Sequence, residues 1–103
     1  FKENCNDLRN SKVFELVELF KKQSIKIFHS EPYINNLKVE GSKNINFEAL
    51  KKNNQKFDVI IIAAPHDEFY ASENLIKSKL KDKNSLIFDI KGRMKKSKNY
   101  ERL

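Results

Sequence analysis

Val59-Ile60-Ile61-Ile62-Ala63-Ala64, running straight into Pro65-His66-Asp67-Glu68, decides the fold class. Six apolar residues in a row, four of them β-branched, include no polar member. A strand covered on both faces requires that pattern, and an alternating, half-solvated strand lacks it. The run predicts a central parallel strand. Pro65 to Glu68 then have the chemistry of a helix start, with proline early and acids in the first turn, where the helix dipole favours negative charge. That helix is expected to continue to about Leu80 and to bury Phe69, Ile76 and Leu80.

Working outward, Val13, Leu16, Val17 and Phe20 recur at helical spacing, with Lys12, Glu15, Glu18 and Lys22 turned away from them. Asn10 or Ser11 is placed to cap this helix, and Glu18 and Lys22 stand four apart as an ion pair. Ile25-Lys26-Ile27-Phe28-His29 reads as a short strand, broken by Glu31-Pro32-Tyr33 because proline cannot donate to a ladder. Leu37-Lys38-Val39 is expected to form a short edge strand ended by Gly41, and Phe47 to Lys52 a short helix. Downstream, Leu86-Ile87-Phe88-Asp89-Ile90 is expected to be the last strand, left by Lys91-Gly92-Arg93. Helix and strand alternate without repeats, so the class is α/β. The expected architecture is a three-layer Rossmann-like parallel sheet with helices on both faces, since right-handed crossovers place them there. Phe1-Lys2 reads as the end of a first strand that is truncated, which makes the chain a fragment of something longer and gives Val59 to Ala64 an unpaired edge.

Composition bounds the rest. The chain has 103 residues, 39% hydrophobic and 34% charged, enough for one compact domain and one core. Eight Phe residues and the Ile-rich runs supply the apolar mass, so the mean hydropathy of -0.70 reflects a Lys- and Asn-loaded surface and not disorder. No stretch approaches the roughly 20 apolar residues of a membrane span, and the start lacks a basic-then-apolar signal pattern, so a soluble, cytoplasmic protein is expected. The single Cys5 has no disulfide partner and no metal ligands at suitable spacing, so no metal site is expected. A net charge of +7 raises the prospect of nucleic acid, but only 92–103, with the adjacent Lys91, concentrates basic residues. That stretch reads as a solvated basic tail, without the aromatic-interleaved basic sheet of an RNA binder.

The chemistry-bearing segments lie near the two termini. Lys2, Asp7 and Arg9 fall within eight residues just before a helix, a natural seat for an anion. In open parallel sheets ligands sit beyond the carboxyl ends of the strands. Lys2 leaves the first strand at that edge and Lys91 leaves the last. With the Val59 run between them, they start roughly 10 Å apart, two strand spacings, close enough to close around a diphosphate.

Phe1-Lys2-Glu3-Asn4-Cys5 followed by Asp7-Leu8-Arg9-Asn10-Ser11 resembles the opening of the C-terminal, UDP-binding domain of the UDP-glucose/GDP-mannose dehydrogenase family. The similarity continues through Tyr33 after a proline, the Asp58 to Ala64 strand leading into His66-x-Glu68-Phe69, and Phe88-Asp89-x-Lys91-Gly92. It covers nearly the whole chain, and the Glu-Asn-Cys and Arg-Asn-Ser variants look most like the branch that oxidises UDP-N-acetylhexosamines for surface polysaccharides. The resemblance implies an NAD-dependent, two-step oxidation of the sugar C6 alcohol to a carboxylate, through a thiohemiacetal on a cysteine. The glycine-rich nucleotide motif and the Gly-Gly-x-Cys nucleophile of that chemistry belong to preceding domains. This chain therefore carries no catalytic residue of its own, and NAD is bound mainly by the absent N-terminal domain.

Carried over by position, Phe1 and Lys2 match the pair lining the nucleotide-sugar site, with Lys2 set for phosphate, and Arg9 matches the Asp-x-Arg arginine that approaches NAD. Lys91 falls where other branches carry a sugar-nucleotide arginine, and Arg93 competes with it, since an ammonium cannot bind bidentately as a guanidinium does. Asp7, His29, Tyr33 and His66 have plainer readings: helix cap or Arg9 partner, surface or satisfied strand-end histidine, turn aromatic, and helix-entry or interface residue. The implied partners are a UDP-sugar, the rest of the dehydrogenase chain and a second copy in a homodimer, with no nucleic acid and no membrane. A stand-alone nucleotide-binding or protein-interaction module is the alternative. A nucleic-acid binder using the basic tail is a third reading, which a steep salt dependence would single out.

Overall fold

The computed structural model describes residues 13–34, 37–95 and 98–102. Phe1, Lys2, Cys5, Asp7, Arg9, and the cap residues Asn10 and Ser11 lie outside them, as does the expected first strand. Along the chain run α1 (Val13–Lys22), β1 (Ile27–His29), β2 (Ser42–Asn44), α2 (Phe47–Leu50), β3 (Val59–Ile62), α3 (Asp67–Ala71), α4 (Glu73–Ser78), β4 (Leu86–Asp89) and β5 (Tyr100–Arg102). Every strand pairing between them is parallel, β1 with β2 in one sheet and β3-β4-β5 in another. The fold is α/β and Rossmann-like, as the alternation of elements predicts. The described residues fall into two compact units, divided after Asn53.

In the first unit α1 packs on β1. Val17, spaced for the inner face, joins Leu37 and Val39 in a small core lined by Ile27 and Ile34. The helix ends in a Schellman arrangement, with Ile25 N–H on Phe20 O and Ser24 N–H on Lys21 O. Ser24 supplies the left-handed residue, at φ 57°. The expected Glu18–Lys22 pair is replaced by Glu18 with Lys21, one position closer, and Lys21 also lies 3.8 Å from Glu40. Leu37 to Val39 is not a strand. Both apolar side chains point into the core, and Leu37 O accepts from the side chains of His29 and Asn44 instead of from a neighbouring strand. Gly41, at φ +85°, turns the chain into β2 rather than ending a strand. Asn46 caps α2, its Oδ1 accepting from the N–H groups of Glu48 and Ala49.

Among the described strands of the second unit β4 is in the middle and β3 at one side. Ile60 pairs with Ile87, Ile62 with Asp89, and on the other side Asp89 with Arg102. The expected partner on the free side of β3 is the strand ending at Phe1-Lys2, outside the described residues. Val59 is 53% exposed, so the first residue of the apolar run is not covered. The helix expected from Asp67 to Leu80 breaks at Ser72, whose φ of -107° leaves the helical region, giving α3 and α4. Ile76 is buried, whereas Phe69 and Leu80 are half-buried. β4 is not the last strand. The stretch read as a solvated basic tail contains β5, because Met94 and Tyr100 supply apolar surface that 92–103 can bury, while Lys95, Lys98 and Arg102 stay exposed. Among the described residues no helix is long and apolar enough to cross a membrane.

Candidate functional site

The carboxyl ends of β3 and β4 carry the chemistry of the second unit. β3 passes through Ala64-Pro65-His66 into α3, with His66 at the N-cap and wholly buried. Of the two roles its position suggests, helix entry is the one seen here. β4 ends in Asp89, and the chain then turns through Ile90-Lys91-Gly92-Arg93-Met94. Gly92 N–H bonds back to Asp89 O, and Gly92 adopts φ +69° with its Cα facing the Arg102 side chain, so a Cβ there would stand 3.0 Å from Arg102 Cδ. Glycine fits both demands.

Three consecutive residues fasten the loop. Arg93 Nη1 donates to Pro65 O at 2.9 Å, Nη2 to Asp67 Oδ1 at 3.0 Å, and the guanidinium lies 4.3 Å from the centre of the Tyr70 ring. Met94 buries its side chain and donates its N–H to Asp89 Oδ2 at 2.9 Å. Lys95 N–H reaches Glu73 Oε1 at 3.3 Å, while Glu73 Oε2 holds Lys77 at 3.1 Å. The Lys77 ammonium, with the Lys95 N–H, keeps the Glu73 carboxyl below the usual range against its partial burial. Lys91, by contrast, is exposed and has no side-chain partner among the described residues.

Beneath the loop Asp89 is wholly buried. Tyr70 Oη donates to Oδ1 at 2.8 Å, Tyr100 Oη to Oδ2 at 2.8 Å, and Met94 N–H shares Oδ2. Burial alone would push this carboxyl up, but the backbone N–H of Met94 and the two phenols outweigh it and hold Asp89 below its ordinary value. The same contacts work in reverse on the phenols. Burial, then the bond to Asp89, raises both Tyr70 and Tyr100. At neutral pH the group is one carboxylate held by neutral donors.

Of the residues singled out from the sequence, the structure describes Lys91 and Arg93, both on this loop, with Lys91 open and Arg93 engaged. Phe1, Lys2 and Arg9 lie outside the described residues. His29, in the first unit, is satisfied by Ser42 and Leu37 O, as its strand-end position suggests. Tyr33 follows Pro32 in a turn, its N–H on Glu31 Oε1. Sequence reasoning missed Asp89 and both tyrosines, although a signal existed. Asp89 stands two residues beyond Ile87, on the same face of the strand, so it had to be buried and therefore partnered. Among the described residues no three His, Cys, Asp or Glu side chains are placed to hold a metal ion.

Residues 1–96 match the family model described as the UDP-glucose/GDP-mannose dehydrogenase family, UDP binding domain. Two curated proteins are similar. Protein CapL of Staphylococcus aureus is 31% identical over 93 residues, 89% of this chain and 21% of CapL. UDP-N-acetyl-D-glucosamine 6-dehydrogenase of Salmonella typhi is 31% identical over 93 residues, 88% of this chain and 21% of that enzyme. The chain thus spans about a fifth of the length of these relatives. No solved structure matches it.

Proposed function

The chain belongs to the UDP-glucose/GDP-mannose dehydrogenase family, as its UDP-binding domain, and from that premise we propose that residues 1–103 act as one nucleotide-sugar-binding domain of an NAD-dependent 6-dehydrogenase. The substrate class is a UDP-N-acetylhexosamine, oxidised at C6 to the uronic acid for surface polysaccharide synthesis in the cytoplasm. The similarity to the Salmonella typhi enzyme supports the choice of sugar. The partners are the UDP-sugar, the rest of the dehydrogenase chain and a second copy of the whole protein.

One observation carries the reading: Lys91, an ammonium with no side-chain partner among the described residues, stands past the carboxyl end of β4 on a loop where Arg93, Met94 and Lys95 are tied down. A diphosphate gains most from a cation that need not break an existing ion pair to reach it. Arg93 would have to leave Asp67, Pro65 O and the Tyr70 ring. Lys91 is therefore the diphosphate cation from this end of the chain and Lys2 its counterpart from the other, with Phe1 lining the nucleotide-sugar site and Arg9 approaching NAD.

NAD itself does not fit the described residues. β3 enters α3 through Ala64-Pro65-His66, and the chain's two glycines, Gly41 and Gly92, cannot form the glycine-rich turn that cradles a dinucleotide pyrophosphate. Hydride transfer is left to the rest of the protein. Calorimetry of UDP binding to the intact protein tests the reading. Lys91→Ala and Lys2→Ala should each weaken UDP by about 1–3 kcal/mol, the range for a hydrogen bond to a charged group. Unchanged affinity in both variants removes the diphosphate from this site.

A further inference from the structure

We propose that Asp89, clamped by Tyr70 and Tyr100, is a positioning residue that sets the conformation of the Ile90–Met94 loop and thereby aims the Lys91 ammonium at the UDP diphosphate. This rests on the assignment of Lys91 above. At the buried carboxylate α3, the loop and β5 all meet β4, through Tyr70, Met94 N–H and Tyr100 respectively. Each contact constrains something different. Met94 N–H fixes where the loop returns. Tyr100 couples that point to β5, which pairs with β4 in parallel at Asp89 itself. Tyr70 carries the Arg93 guanidinium on its ring, so the phenol that holds Asp89 also seats the loop's other cation.

Lys91 is two residues past Asp89 and three before Met94, inside the closed span, and no side-chain contact of its own fixes it among the described residues. Its backbone direction is inherited from the two ends of that span. Preorganising a flexible lysine in this way reduces the ordering cost on binding. The consequence is unexpected from sequence: Tyr100, in the basic stretch nine residues beyond Lys91, contributes to nucleotide affinity without touching nucleotide.

A double-mutant cycle in the intact protein tests this, with UDP affinity read by calorimetry. Asp89→Asn removes the charge that binds three donors, and UDP Kd should rise about fivefold to tenfold, as Lys91→Ala raises it about tenfold or more. The double variant should bind no worse than Lys91→Ala alone, because misaiming an absent side chain costs nothing. In turnover with UDP-N-acetylglucosamine the loss should fall on KM rather than kcat. If the two losses multiply in the double variant, or if Asp89→Asn binds UDP normally while Lys91→Ala does not, the positioning role is overturned and the site survives. If Lys91→Ala binds UDP normally, the assignment of Lys91 to the diphosphate fails, and this proposal with it. Should Asp89→Asn not fold, Tyr100→Phe, which keeps the carboxylate and the ring, runs the same cycle with a twofold to fivefold effect expected.

Discussion

His29 and Asp89 each end a parallel strand, β1 and β4, and each ties that strand to chain outside it, but they do so at different depths. His29 is half-buried: Leu37 O can only accept, so Nε2 donates to it, and Nδ1 lies 2.7 Å from the Ser42 hydroxyl. Asp89 is wholly buried and ionised, with three donors on its two oxygens. A half-hydrated pair can exchange a lost partner for water. A buried carboxylate cannot, so its environment has to be complete, and completeness makes the surrounding loop rigid. The difference explains why a fully partnered buried charge holds the loop after β4, whereas β1 ends in a half-hydrated contact.

Removing the charged node should produce the largest effect. Asp89→Ala strands two phenols and a backbone N–H, and should cost about 3–4 kcal/mol in urea unfolding of the intact protein followed by circular dichroism. A loss below about 1 kcal/mol would place the two nodes in the same class. Next comes Tyr100→Phe, expected to cost about 2 kcal/mol, with a pH signature. Tyr100 and Tyr70 are raised in the folded protein, so their contribution is fully present below the ordinary phenol value of about 10 and is lost as pH climbs from there toward the folded values. Asp89 is lowered, so its contribution holds above about pH 4 and is lost as acid takes the pH down through its folded value. Stability against pH should therefore fall at both extremes, and Tyr100→Phe should flatten the alkaline arm.

The half-buried node should respond less. Ser42→Ala removes the hydroxyl paired with His29 Nδ1 and should cost about 0.5–1.5 kcal/mol, since solvent reaches the pair. A loss as large as that of Asp89→Ala would erase the contrast. The smallest change has the opposite sign. Ser24→Gly relieves a left-handed residue at the end of α1 and should stabilise the protein by up to about 1 kcal/mol, seen as a small rise in the urea midpoint. No change there would mean that Ser24 makes up its backbone cost elsewhere.

Much of the fold is legible because it is written locally. The spacing of Leu16, Val17 and Phe20, the β-branched run at Val59 and the proline-acid start at Pro65 each report on a few adjacent residues, and each corresponds to an element. The errors have a common cause. Leu37 to Val39 has strand composition, yet side chains claim its carbonyl. The 92–103 stretch looks solvated because its lysines are counted, whereas Met94 and Tyr100 decide its fate by burial. At the site, Lys91 and Arg93 are visible from charge and from the family resemblance, but nothing local shows which is engaged.

Hydrophobic periodicity, turn residues and charge, all properties of neighbouring positions, were sufficient for the α/β class, the order of most elements, and the placement of two cations after a strand. Tertiary structure alone decided the pairing of Arg93 with Pro65 O and Asp67, 28 and 26 residues away, and of Asp89 with Tyr70 and Tyr100, 19 and 11 away. Those contacts exist because β4 lies between β3 and β5, and burying a carboxylate there compels distant donors to converge on it.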